Sequence, residues 1–425
     1  MRKIPKKLIA SRLAKKIQNL LKSHKLEIVI VTGSVGKTST KVAIGKLLST
    51  EHQVRFSEDS YNTDIGLPLS FFGLKVPTPL WDPTGWHRIF QKINSMSKNY
   101  PYDTVVLEMA DDELEDMLKL LEFIKPKYSV ITAVAPVHLE WTISMDKIIH
   151  DNWKIASGAS NIIYNADQPE LAALGSKTKK ATGFGLKNGD FRFGSISRNL
   201  KGYLVAELSL PDGKFEITTK MIGKHNLGSL LAAASVASKM GMPGSKIAKG
   251  LSRIEGVNGR MKLLAGVNDS RIIDDSYNAS PKAVCSALDA LAEIPAGKRI
   301  AVLGSMVELG DASDSEHYMV GKYAAKKADM LVTIGKNAEV HTVSGAKDAG
   351  MSPDDIKIFK TPYEAGHFLK RIIGKKDLVL VKGSQNGIFT EEAARILLDP
   401  RLNPKDVLVR QSQDWKRKKR KAFGL

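Results

Sequence analysis

The 425-residue chain has one cysteine, Cys285, so it can build neither a disulfide framework nor a cysteine-based zinc site. No apolar run approaches the roughly 20 residues of a membrane-crossing helix, and the first residues lack the apolar centre of a secretory signal. There is no repeat at a fixed period, and the lysine-rich end is the one low-complexity tract. An Asn-Lys-x-Asp motif, which would mark a GTPase-type regulator, is missing too. What is there is ordinary globular material, 43% hydrophobic and 26% charged. At ~100–200 residues per domain, the length predicts two or three domains, here of a cytoplasmic protein.

Charge is in excess but unevenly spread. Lys and Arg number 64 against 45 Asp and Glu, a net +19. Residues 1–25 hold nine basic residues and no acid, and residues 401–425 hold nine basic residues against Asp406 and Asp414. Only +3 remains for the 375 residues between them. A nucleic-acid ATPase should spread its cations through the body, so a nucleic-acid partner is disfavoured.

Leu8, Ile9, Leu13, Ile17, Leu20 and Leu21 recur at helical spacing with basic residues opposite, which predicts a basic amphipathic helix. "LEIVIVTGSVGKTSTKVAIGKLL" reads as strand, phosphate loop and helix. "YDTVVLEMA", "KYSVITAVAP" and "NIIYNAD" continue a strand–helix alternation, which predicts a doubly wound α/β sheet. Between 189 and 220 the runs shorten, alternate and look antiparallel. Gly256, Asn258 and Gly259 mark a boundary, after which four strand-like runs predict a second, Rossmann-like α/β domain. The expected division is a basic helix at 1–27, an ATP-binding domain at 28–257, a second domain at 258–400 and a basic tail at 401–425.

"TGSVGKTST" at 32–40 is the strongest chemical signal. Gly33 and Gly36 let the backbone wrap phosphate oxygens, Lys37 can neutralise the β/γ charge, and the Thr38 or Ser39 hydroxyl can reach Mg²⁺. The full G-x-x-x-x-G-K-[ST] pattern fails because Val31 stands at its first glycine. Glu108, ending "TVVLE", could complete a Mg²⁺ site. His138 alone is ambiguous, and Asp275 in "DDSYNAS" suits either a nucleotide ribose or a plain Asx turn.

Taken in order, "VTGSVGKTST", "SYNTDIGLPLS", "VVLEMADDELEDM", "ITAVAPVHLEW", "NADQPEL", "GKHNLGSLLAAA", "GRMKLL", "IIDDSYNASPKAV", "AVLGSMVELGDASDSEH" and "LVLVKGS" resemble the Mur ligase family, over residues 28 to 398. "DDSYNASP" and "VLGSMVELG" resemble its dipeptide-adding branch most. The resemblance implies ATP- and Mg²⁺-dependent amide-bond synthesis through an acyl phosphate. The implied small-molecule substrate is a nucleotide-sugar peptide that receives D-alanyl-D-alanine, and the implied enzyme is a monomer. Lys37 would bind the β/γ-phosphates within a cradle that includes Gly33, Ser34 and Gly36. Thr38 or Ser39 would hold one Mg²⁺ with Glu108, and His138 would serve a second metal. Asn226 would face the base, Arg260 the phosphates and Asp275 the ribose. Asn62, Tyr277, Asn278, Lys382 and Ser384 would meet the substrate.

The sequence departs from the family at several of these places. Where the family's carbamate-bearing lysine belongs stands Asn152, with Lys154 two residues on as its candidate catalytic replacement. Ala133, Ser229, Gln385 and Thr63 stand at positions that are asparagine or arginine in the family. About 27 residues precede the first strand, fewer than the ~40 of an independent domain, so the family's UDP-binding domain is expected to be absent. Related activities with another acceptor, folylpolyglutamate-synthase-like or amidotransferase-partner, remain the alternatives. The two basic ends could contact an anionic membrane peripherally.

Overall fold

The computed structural model describes residues 6–58, 61–110, 114–135, 144–199, 202–307, 309–385 and 387–424. Two sheets organise the chain. The first is built from β1 (Glu27–Thr32), β2 (Val54–Arg55), β3 (Thr104–Glu108), β4 (Tyr128–Ile131), β5 (Asn161–Asn165), β6 (Ala181–Gly185), β7 (Phe191–Arg198), β8 (Leu204–Leu210) and β9 (Gly213–Thr219). Their spatial order is β2-β3-β1-β4-β5-β6-β7-β8-β9. Pairing is parallel through β7 and antiparallel from β7 to β9, as the shortened alternating runs suggest. The strand order reverses beside β1, so the first βα loop opens at a switch point, where doubly wound sheets bind ligands.

Alternate residues of β1 feed two cores. Val29 and Val31 pack under helices Lys37–Leu48 and Leu227–Lys239, the latter apolar nearly all round and buried to match. Ile28 and Ile30 face helices Lys6–Ser23, Gly66–Phe72, Pro83–Lys98 and Leu114–Ile124. The basic helix Lys6–Ser23 spends its apolar stripe here. Ile9, Leu13, Ile17 and Leu20 are all buried, each contributing roughly 1.5–3 kcal/mol. Leu13→Asp would break that seam.

The second sheet comprises β10 (Lys262–Ala265), β11 (Arg271–Asp275), β12 (Arg299–Gly304), β13 (Met330–Ile334), β14 (Ile356–Phe359) and β15 (Leu378–Lys382), in the order β10-β11-β15-β12-β13-β14. Only β10 is antiparallel to its neighbour. Glu293, from helix Pro281–Glu293 beside this sheet, takes Arg198 of the first sheet at 2.7 Å and Lys224 at 2.9 Å.

The basic tail is not a loose appendage. Its helix Gln413–Phe423 is capped by Ser412 and docks on helix Glu391–Leu397. Phe423 meets Tyr363 and Phe389 edge-on, and Lys419 is buried against Glu391 and Glu392 at 2.8 and 2.7 Å.

Candidate active site

The phosphate loop connects β1 to helix Lys37–Leu48. Gly33 has φ +126°, and a Cβ there would run into the Thr132 hydroxyl; Gly36 has φ +87°. Both positions therefore require glycine. The amides of Ser34 and Val35 donate to the Ala133 carbonyl at 2.9 and 3.0 Å, fixing the loop against the end of β4. The Ser34 hydroxyl is buried with no hydrogen-bond partner among the described residues.

Three side chains meet at the loop's helical end. Lys37 Nζ donates to the Gly33 carbonyl at 2.5 Å, folding back over the loop. Thr38 Oγ1 donates to Glu108 Oε2 at 3.0 Å, and Lys41 Nζ donates to the same oxygen at 3.0 Å. Of the two candidate hydroxyls, that of Thr38 reaches the carboxylate; Ser39 is buried beside it. Burial would push the Glu108 carboxyl up, but the ammoniums of Lys41 and Lys37 and the Arg260 guanidinium hold it below its usual range. Arg260, which follows the first sheet's last helix and precedes β10, thus acts on the first sheet's acid.

One hydroxyl, one ionised carboxylate and an unpartnered serine suit Mg²⁺ held mainly by phosphate oxygens, since that ion takes only one or two protein carboxylates. Among the described residues no three His, Cys, Asp or Glu gather as a metal cluster.

Around the second sheet's edge, Asp274 is fully buried. It accepts from the Gly259 amide at 2.8 Å and from the Ser276 hydroxyl at 2.5 Å, and burial raises its carboxyl to about 6. Asp275 accepts from Lys382 Nζ at 2.5 Å and from the Met261 amide at 3.1 Å. Lys382 also donates to the Asn278 carbonyl at 3.0 Å. The Arg260 guanidinium lies 4.1 Å from the Tyr277 ring centroid, a cation–π stack. Arg260, Asp275, Tyr277, Asn278 and Lys382 are therefore brought together. Ser384 is buried beside them, accepting from the Val307 amide at 3.0 Å.

Asn226 donates to the Ile222 carbonyl at 2.7 Å at the start of helix Leu227–Lys239. That start lies beside the phosphate-loop helix, where Thr40 and Ser229 hydroxyls meet at 3.0 Å. Asn62 is half-buried just ahead of helix Gly66–Phe72.

His138 lies outside the described residues. Asn152 is completely buried in helix Met145–Ser157, accepting from Thr32 Oγ1 at 2.7 Å and donating to the Ile148 carbonyl at 2.8 Å. Lys154 is exposed on another face of that helix, so the structure does not bring it to the site. Residues two apart on a helix point in different directions, and here burial selects Asn152.

Lys41 is absent from the sequence reading although it carried a signal, being one helical turn beyond Lys37. Gln168 is another. Its amide clamps Val134 from both sides, accepting from the backbone N–H at 2.7 Å and donating to the carbonyl at 2.6 Å. It thereby fixes the chain entering the His138 segment.

Comparison with known proteins finds the Mur ligase middle domain over residues 82–237 and the Mur ligase glutamate ligase domain over residues 259–385. The chain is similar to the UDP-N-acetylmuramoyl-tripeptide–D-alanyl-D-alanine ligase of Escherichia coli strain K12, 28% identical over 87% of this chain and 76% of that one. The Bacillus subtilis strain 168 protein of the same name is 27% identical over 91% and 80%. Among solved structures, MurF ligase from Thermotoga maritima in complex with ADP superposes with a TM-score of 0.74 at 25% identity, covering 91% of this chain and 83% of that one.

Proposed function

The chain belongs to the Mur ligase family, and from that premise we propose that it adds D-alanyl-D-alanine to a UDP-N-acetylmuramoyl-tripeptide with ATP as the activating reagent. The observation that carries the reading is the convergence of Thr38, Lys41 and the Arg260 field on one buried carboxylate, Glu108, at the mouth of a phosphate loop. The names of the curated relatives support the choice of substrates.

In this reading a substrate carboxylate oxygen attacks the γ-phosphorus and the bond to the β–γ bridging oxygen breaks, leaving ADP and an acyl phosphate. The dipeptide amine then attacks the acyl carbon, loses a proton and expels phosphate. Two anions must be held in contact, which is the main obstacle, and fixed cations in a partly dry site lower it. Lys37 lies over the loop to meet the β/γ oxygens, while Gly33, Ser34 and Gly36 supply backbone and hydroxyl contacts. Mg²⁺, held by Thr38 and Glu108 with phosphate oxygens, would neutralise charge on the transferred group. Arg260 and Asp275 would meet the nucleotide from the second sheet, and Asn226 its base. Asn62, Tyr277, Asn278, Lys382 and Ser384 would line the path of the two peptide substrates. The domain division proposed is 28–257 for ATP and 258–400 for the closing partner, in a cytoplasmic enzyme.

The test is phosphate release from ATP by purified protein offered UDP-linked peptides with a panel of amines and dipeptides. Stimulation that needs both the UDP-linked tripeptide and D-alanyl-D-alanine is expected. Stimulation by a different amine alone would retain the ligase chemistry and overturn the substrate assignment.

A further inference from the structure

Helices Lys6–Ser23 and Pro83–Lys98 bury their apolar stripes in one core, Ile9, Leu13, Ile17 and Leu20 beside Trp86, Ile89 and Ile93. Their opposite faces therefore look outward together. Each helix leads through a short connection into a neighbouring parallel strand, β1 or β3, so both run against the strands and begin at the sheet's phosphate-loop edge. Lys16 donates to Asn94 at 2.5 Å, joining the eleventh residue of one helix to the twelfth of the other. The two helices thus start level.

That common start carries exposed apolar side chains. Leu8 is 44% exposed, and Leu80 and Trp81, in the turn before Pro83, are 37% and 53% exposed. Along the outward faces lie exposed Lys7, Arg12, Lys15, Lys22, Arg88, Lys92 and Lys98. Neither helix contains a carboxylate, and Asp82 is occupied capping the Thr84 amide at 3.0 Å. Helix Leu114–Ile124, with Glu115, Asp116 and Glu122, borders this face on the side of Lys6–Ser23.

We propose that these two outward helix faces and the Leu80–Trp81 turn form one contact surface for an anionic lipid membrane. Cations on a broad face pair with lipid headgroups, while a tryptophan and two leucines at one end enter the headgroup–acyl boundary, where such side chains partition favourably. A nucleic-acid backbone would use the cations but would leave Leu8 and Leu80 in water. The apolar stripe of the first helix is not the membrane element, because the core already holds it. The tail's exposed cations, Arg417, Lys418, Arg420 and Lys421, sit on a helix that docks on Glu391–Leu397 and not on these two helices, so the tail substitutions below test them separately. The surface is independent of the ligase reading and opens at the edge where that site lies.

The test is flotation of the full chain with phosphatidylglycerol-rich and with pure phosphatidylcholine vesicles, at low and high salt. Deleting residues 1–25 is unsuitable because it strips four core side chains. Binding to the anionic vesicles alone, weakened by salt, is expected. Arg12→Glu with Lys15→Glu should weaken it at least ~25-fold, at about fivefold per cation lost. Trp81→Ser with Leu80→Ser should weaken it severalfold, and Lys416→Glu with Arg417→Glu should leave it unchanged. Equal partitioning onto both vesicle types, indifference to the helix substitutions, or loss through the tail substitutions alone would overturn the proposal. So would gel-shift binding of an RNA oligonucleotide with no vesicle binding.

Discussion

Arg410 and Glu391 form a two-pronged ion pair, Nε to Oε1 at 2.8 Å and Nη2 to Oε2 at 2.9 Å, with Glu391 fully buried. The same guanidinium donates to the Ser276 carbonyl at 2.6 Å and the Tyr277 carbonyl at 3.1 Å. Arg410 adopts φ +55°, an uncommon backbone state for a residue other than glycine, which these four bonds stabilise. Through it the basic tail holds the turn whose Tyr277 stacks on Arg260.

Arg410→Ala leaves Glu391 with Lys419 at 2.8 Å as its remaining cation but strips the Ser276 and Tyr277 carbonyls of their donor, so it should destabilise the chain by about 1–3 kcal/mol. It should also weaken ATP binding, since the Arg260–Tyr277 stack loses its support. Thermal melts and nucleotide titration below the melting range check the two effects separately. Unchanged nucleotide affinity would confine Arg410 to stability.

Lys41→Met should reduce turnover on the order of 10²–10³-fold, the usual scale for losing a preorganised charged group. It removes the cation closest to Glu108, whose carboxyl should then rise toward its burial-driven value. Lys37→Ala should abolish turnover. If Lys41 acts through Glu108, raising pH should restore part of the Lys41→Met rate while leaving Lys37→Ala inactive; identical pH profiles for the two variants would contradict that role.

The phosphate loop is legible in the sequence because strand, glycines, Lys and Thr are consecutive, and local backbone geometry determines their meeting. The central strands of both sheets are legible for the same reason, each strand–helix unit carrying its own period, whereas β2, β6, β10 and β14, only two to five residues long, are too short to show one. Arg410 is not, because its partners Glu391, Ser276 and Tyr277 are 19 to 134 residues away and only tertiary packing joins them. The first helix is legible as amphipathic, yet amphipathicity alone does not say whether lipid or protein covers the apolar side. Burial of Leu13 and Ile17 in the first core decides for protein.

Lys154→Ala should leave turnover within about twofold, since surface substitutions away from a site change little. Asn152→Ala should be costly. It leaves the buried Thr32 hydroxyl without its 2.7 Å acceptor at the strand end that enters the phosphate loop, a loss of about 1–3 kcal/mol. Measuring kcat and melting temperature for both variants separates the two residues. A large kcat loss in Lys154→Ala with an unchanged melt would return that lysine to the chemistry.

Asp274 makes the stability of the chain depend on pH. Its carboxyl is raised by burial to about 6 in the folded chain, against an ordinary value of 3.8. Between those values the folded state binds the proton more tightly than the unfolded state does. Its contribution is therefore fully present below pH 3.8 and lost as pH rises through about 6. The shift corresponds to at most about 3 kcal/mol, because the Gly259 and Ser276 donors offset part of the cost of burying the anion. Asp274→Asn keeps an acceptor for the Gly259 amide and cannot ionise. Denaturant titrations of both proteins between pH 5 and pH 8 should show the variant gaining stability relative to the parent as pH rises. A constant difference across that range would mean that Asp274 does not titrate there.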